Sequence, residues 1–294
     1  MRRSGGTFAT ERKKKYPPYP PYRRTPLTAG SSCTKVGDLL DADRHERARD
    51  LLATAADKSK RGGNVPFPLA FVLAPEAGGL PPLARFIRGG RGGEVRLRLY
   101  LSITMMATRH PYDLSTPPSP NHWSELLALP ADAGPRRVSS NIKWLGKNNF
   151  IRLTPRPGRP AVITLLDPSG GGEPYVRPMT QGRRYVGVPV EFWRHGWLLA
   201  LSATATALLL VLLEHQGGYE EARYVMRDRR ARYGLSADTW TLARKELEQH
   251  RLLHVSRTPQ GSSFDYRRLR NTYWVDLEAL KTTSPDFREL SRSQ

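Results

Sequence analysis

The chain has 294 residues, with 47 Lys or Arg against 27 Asp or Glu and a formal net charge of +20; its pI is near 10.5. Such a field calls for a polyanionic partner, nucleic acid or an anionic membrane surface, and speaks against a near-neutral enzyme surface. One cysteine, Cys33, excludes a disulfide framework or a Cys-built zinc site within one chain, which points to the cytosol.

The length suits about two domains of roughly 100 to 150 residues. Only 38% of residues are apolar, so the folded regions are expected to be diluted by segments without a core. The basic N-terminus is not followed by an apolar core and is therefore not read as a secretory signal. The uncharged run Trp197 to Leu213, "WLLALSATATALLLVLL", is at the bottom of the spanning range. It contains Ser202, Thr204 and Thr206 and has no counterpart elsewhere. It is read as the buried first helix of a globular domain, with no membrane partner.

In chain order, residues 1–62 are expected to be a disordered basic arm. Its stretch "ERKKKYPPYPPYRRTP" interleaves Tyr and Pro with cations, and eight Lys or Arg lie between Arg2 and Arg24 against one acid, Glu11. A short helix at 39–57, with Leu39, Leu40, Leu51 and Leu52, is read as a docking or dimerisation element, which leaves a homodimer open. Residues 63–167 form a first folded unit. There Leu97, Tyr100, Leu101, Thr104 and Met105 keep helical spacing up to Pro111. The helix of "WSELLAL" follows. In the next helix Val138, Ile142 and Leu145 face inward, and Asn148 and Asn149 supply a stop. "FIRLT" and "AVITLL" then alternate as two strands around the turn "PRPGRP".

A Gly/Pro linker is expected at 168–182. The order of elements then recurs over 183–282, ahead of a flexible tail, 283–294. A first helix carries Ala205, Leu208, Leu209 and Leu212, and an Arg-rich helix follows. Ser236 caps a third helix in which Asp238 favours the start. A hairpin, "LLHVSR" to "RRLRNTYWVD", completes the unit. A shift of 102 residues sets Leu145 on Leu247, Val138 on Trp240, Lys143 on Lys245, and Phe150 with Ile151 on Leu252 with Leu253.

Helix, helix, turn, helix and hairpin in this order resemble the winged helix-turn-helix, a small α+β DNA-binding fold. The resemblance covers about 200 residues in two copies and is most specific over "YGLSADTWTLARKELEQHRLLHVSR", Tyr233 to Arg257. It implies an α+β, mostly α protein of two tandem winged-helix domains preceded by the arm. It also implies that the third helix of each copy exposes short polar and cationic side chains to a major groove about 12 Å wide. In the first copy these are Arg136, Arg137, Ser139, Ser140, Lys143 and Lys147, with Arg156 and Arg159 at the hairpin tip. In the second they are Ser236, Asp238, Thr239, Thr241, Arg244 and Lys245, flanked by Arg229, Arg230 and Arg232 and by Arg257, Arg267 and Arg268 on the hairpin.

From Gly134 to Pro160 there are seven cations and no acid, whereas a surface serving only solubility mixes signs. No phosphate-loop motif is present, and "RGGRGGE" follows no strand. His110, Asp113 and His122 match no metal spacing. With no catalytic set in view, the sequence reads as a non-enzymatic, cofactor-free, sequence-specific binder of double-stranded DNA in the cytoplasm, associated with the nucleoid. A transcriptional regulator and a replication initiator on repeated origin sites, to whose two-winged-helix layout the chain is similar, both stay open. So does a protein-interaction module within a nucleoprotein assembly.

Overall fold

The computed structural model describes residues 36–88, 91–219, 221–260 and 268–285; the expected basic arm up to residue 35 and the candidate Arg267 lie outside them. The first element, helix α1, runs Val36–Lys58, slightly beyond the 39–57 read from sequence. Ala48, Leu52 and Ala56, spaced four apart on one face, are fully buried in the main core. This helix is therefore built into the folded body and does not belong to an arm. Two of these three buried residues are alanines, a weak hydropathy signal for that face.

Next come strand β1 (Asn64–Pro68) and the short helices α2 (Leu69–Val72) and α3 (Pro82–Ile87). The first half continues with α4 (Arg91–Met106), β2 (Asp113–Leu114), α5 (Pro120–Leu126), α6 (Gly134–Lys147), β3 (Ile151–Arg156) and β4 (Arg159–Leu165). Strand β5 (Tyr185–Pro189) and the single turns α7 (Glu191–Arg194) and α8 (Trp197–Ala200) open the second half. It then runs α9 (Ala203–Gln216), β6 (Arg223–Tyr224), α10 (Arg227–Arg232), α11 (Ala237–Gln249), β7 (Leu253–Gln260) and β8 (Arg268–Val275). The α+β, mostly helical class read from sequence is the one observed.

From α4 and again from α9, the chain follows one plan: helix, short strand, two helices, hairpin. Each half has a three-stranded antiparallel sheet with the short strand beside the last one, in the order β2-β4-β3 and β6-β8-β7. The repeat extends to backbone detail. Asn149 and Arg251, 102 residues apart, both end their helix in the left-handed conformation with φ 58°. Phe150 N–H donates to Leu145 O and Leu252 N–H to Leu247 O, each at 3.0 Å. Asparagine announces such a stop in sequence and arginine does not.

The two halves share one core. Strand β1 pairs antiparallel with β5, setting Val65 opposite Val188 and Phe67 opposite Val186. Ala74 N–H donates to Arg232 O at 2.9 Å, and Arg232 Nε donates to Ala74 O at 2.8 Å. Buried side chains from both halves belong to a single cluster. The Gly/Pro stretch expected as a linker does not separate independent cores. Leu166 bridges Pro174, Tyr175 is buried, and its hydroxyl donates to Pro66 O at 3.2 Å.

The uncharged run is not one helix. The chain leaves α8 at Leu201 in an extended conformation, and Ser202 caps α9 by accepting from Ala205 N–H at 3.1 Å. Helix α9 is packed on every side by α11, β5, β8, α3 and α4. Each residue from Ala207 to Leu212 is at most 2% exposed, which explains an apolar sequence without a polar face. Among the described residues no helix is long and apolar enough to cross a membrane.

Gly134, the first residue of α6, is pressed against α5. A Cβ there would stand 1.8 Å from Ser124 Oγ and 2.9 Å from Leu129 Cβ. Gly134→Ala must push α6 off α5, and a loss of about 1 to 3 kcal/mol is expected. Chemical denaturation of the variant checks this, and an unchanged midpoint would contradict the packing described.

Candidate nucleic-acid interface

Helix α6 is held from beneath by stacked aromatic rings. Phe150 lies 4.7 Å from Phe86 and 5.8 Å from Trp144, and Phe86 lies 5.0 Å from Tyr100, centroid to centroid. Gly134, Val138, Asn141 and Leu145 are its buried positions, and Ile142 is half-buried. This fixes what points outward. Arg136, Ser140, Lys143 and Lys147 are all exposed and follow the spacing i, i+4, i+7, i+11, so they form one ridge along the helix. Arg137 and Ser139 are half-buried beside it, and Ser139 Oγ donates back to Pro135 O at 2.9 Å.

The start of α6 is electrostatically unusual. Its N-cap, Ala133, offers no side-chain hydrogen bond, and its first turn contains no acid but two arginines. The helix dipole places partial positive charge at that end, so each cation there costs about 0.3 to 1 kcal/mol. Helix α11 follows the ordinary rule. Ser236 Oγ accepts from Thr239 N–H at 3.1 Å, and Asp238 occupies the first turn.

Beside the ridge the hairpin carries further cations. Arg152 on β3 and Arg159 at the start of β4 are exposed. Gly158 takes φ 66° at the tip, the conformation that a tight turn between two prolines needs. Arg156 is tied back, its guanidinium donating to Ser115 O. Among the described residues, none of Arg136, Arg137, Lys143, Lys147, Arg152 or Arg159 forms an ion pair. Arg96, which sequence reading did not single out, lies over the Trp144 ring at 3.7 Å, and burial lowers its pKa. The two residues are far apart in sequence, and only the α4–α6 contact brings them together.

The second half gives a different surface. The 102-residue shift carries the ridge Arg136, Ser140, Lys143, Lys147 onto Asp238, Leu242, Lys245 and Gln249. All four of these are exposed. Three positive charges become a neutral set with Leu242 66% exposed. Thr241 is exposed with its hydroxyl bonded to Ala237 O at 2.9 Å, and Thr239 is half-buried. Arg244 pairs with Glu248 at 2.9 Å.

Three of the four arginines of α10 are engaged within the fold, Arg227 being exposed. Arg229 Nη2 donates to Glu214 Oε1 at 2.6 Å and its Nε to Tyr233 Oη at 2.9 Å. Burial opposes its charge, but these bonds prevail and raise its pKa. Arg230 stacks over Trp240 at 4.7 Å, and Arg232 makes the link to Ala74 described above. Their charge is therefore used first for packing. Arg257 on β7 is exposed, and Arg268 starts β8 with its backbone opposite Gln260.

Of the sequence-read residues, Arg136, Ser140, Lys143 and Lys147 thus form one exposed ridge on α6, Lys143 and Lys147 line a shallow hollow with Arg152, and Arg159 stands exposed at the hairpin tip. No group of three or more His, Cys, Asp or Glu able to hold a metal occurs among the described residues. No protein-family model, curated protein or solved structure matches the chain.

Proposed function

We propose that the chain binds double-stranded DNA, with each half acting as a winged helix-turn-helix and α6 entering the major groove. The observation that carries this reading is the start of α6, where Arg136 and Arg137 stand at an uncapped positive helix end with no acid in the first turn. A phosphate bound there offsets the repulsion and accepts from both guanidinium groups. The strand order shared by both halves supports the fold reading. The ridge Ser140, Lys143 and Lys147 with Arg152 and Arg159 on the hairpin supports contact along a phosphate backbone.

The two halves take different roles in this reading. The first supplies most phosphate contacts. On α11, Asp238 can accept from a cytosine amino group and Leu242 can meet a thymine methyl, chemistry that reads bases more than phosphates. Because the halves share a core, both helices meet DNA as one body. The process served is transcriptional regulation, or replication initiation if the cognate site is repeated. A second reading, that the second half docks a protein, is favoured by Leu242 at 66% and Leu269 at 63% exposure.

The test is selection from a random duplex library at low salt and at about 0.2 M, where phosphate-only binding collapses. One motif enriched at both salts is the expected result. Binding lost at the higher salt with no enriched sequence would remove the base-reading roles of α6 and α11.

A further inference from the structure

A second basic surface lies where two helices end. Helix α1 finishes at Lys58, and the turn through Lys60, Arg61 and Asn64 runs past the end of α4 at Thr108 and Arg109. Together with Arg177 and Tyr185 these residues enclose a cleft of about 730 Å³. Five of its lining residues are Lys or Arg and none is Asp or Glu. Asp57, the adjacent acid on α1, is bound to Arg194 at 3.0 Å. Nothing lies within 4 Å of where a Cβ would stand at Gly62 or Gly63, so the backbone there is uncovered.

Cations gather at helix C-termini for structural reasons, since the dipole is negative there. That reason accounts for two of the five. Lys58 sits in the last turn of α1. Arg61 is spent on α4, donating to Thr104 O and Met105 O at 2.8 Å and to Ala107 O at 3.2 Å. It does not account for Lys60 and Arg109, both exposed. Burial and then the charge of Arg177 lower the pKa of Arg61, so like charges crowd in a cleft whose lining holds no carboxylate.

The cleft shares no lining residue with the α6 ridge and lies at the other end of β4 from the hairpin tip. Arg109 leads into β2, and Tyr112 O accepts from Leu165 N–H at the end of β4 opposite Arg159. The hairpin tip is the length of β4 away, about 20 Å at about 3.3 Å per residue.

We infer that this cleft is a phosphate-binding site, taking the oligophosphate of a nucleotide-like ligand or the backbone of a further nucleic-acid segment. Lys58, Lys60 and Arg109 with Arg177 supply the charge, and the open backbone at Gly62 and Gly63 lets a phosphate approach closely. The inference stands independently of the role given to α6.

The experiment compares the full chain with the Lys60→Glu/Arg109→Glu and Lys60→Gln/Arg109→Gln variants, and with Arg136→Ala/Arg137→Ala. Inorganic tripolyphosphate is titrated by calorimetry, and a duplex oligonucleotide by anisotropy across salt. Both cleft substitutions are at exposed positions, and the ligand-free melting temperature verifies that each variant folds. The expected result is tripolyphosphate binding that falls at least tenfold in both cleft variants and persists in Arg136→Ala/Arg137→Ala. Absence of tripolyphosphate binding, together with weaker duplex binding and a shallower salt slope in the cleft variants, would support a nucleic-acid backbone as the source. Unchanged affinity for both probes in the cleft variants would overturn the inference.

Discussion

Arg136→Ala with Arg137→Ala is expected to weaken duplex binding by about a hundredfold near 0.15 M salt. Two charge-assisted contacts are removed, each worth about 1.5 kcal/mol or more. The same substitutions should leave the fold intact or slightly more stable, because the first turn of α6 has no acid or cap to balance two cations against the helix dipole. Binding and stability then move in opposite directions, which a merely structural role for these arginines would not produce. Anisotropy against salt and thermal unfolding of the same preparation give both readings. Substituting Arg2 and Arg3 instead should cost far less affinity; equal losses would sink the groove assignment of α6.

Glu214→Ala is expected to be the most damaging single change to the second half, by about 3 kcal/mol. The Glu214 side chain is 3% exposed and accepts from Arg229 at 2.6 Å and from Tyr233 Oη at 2.6 Å. Its removal strands a partly buried guanidinium and a buried hydroxyl between α9 and α10. For a body of this size the melting temperature should fall by roughly 10 °C. Glu214→Gln, which keeps an acceptor, should fall less. A loss below about 1 kcal/mol for Glu214→Ala would show that Arg229 is not held for packing and restore it as a surface cation.

The repeat was legible because it is written in large residues. Val138 and Trp240, like Leu145 and Leu247, are buried at matching places, and helical spacing makes such positions legible in the sequence. The exposed ridge of α6 follows from the same periodicity. Helix α1 is faint in the sequence because its buried face is Ala48, Leu52 and Ala56, and alanine is a weak signal. The joining of the halves was invisible for another reason: β1 and β5 are short and far apart in sequence, and nothing local names a strand's partner. The arginines of α10 marked the limit of counting charge. Arg229 finds Glu214 across fifteen positions and Arg232 finds Ala74 in the other half, so a cluster that reads as a surface is partly interior. Arg251 adopts the left-handed stop with no residue-type signal at all.

In the proposed reading the unbalanced ridge of α6, with its hairpin, meets the phosphates of a duplex. The most direct measurement is the affinity of the unaltered chain for a short labelled duplex as salt is raised, beside that of Arg136→Ala/Arg137→Ala. A log–log slope of about −4 to −6 is predicted for four to six phosphate contacts, reduced by about 2 in the variant. No duplex binding at low salt, or a slope that the variant leaves unchanged, would contradict the account.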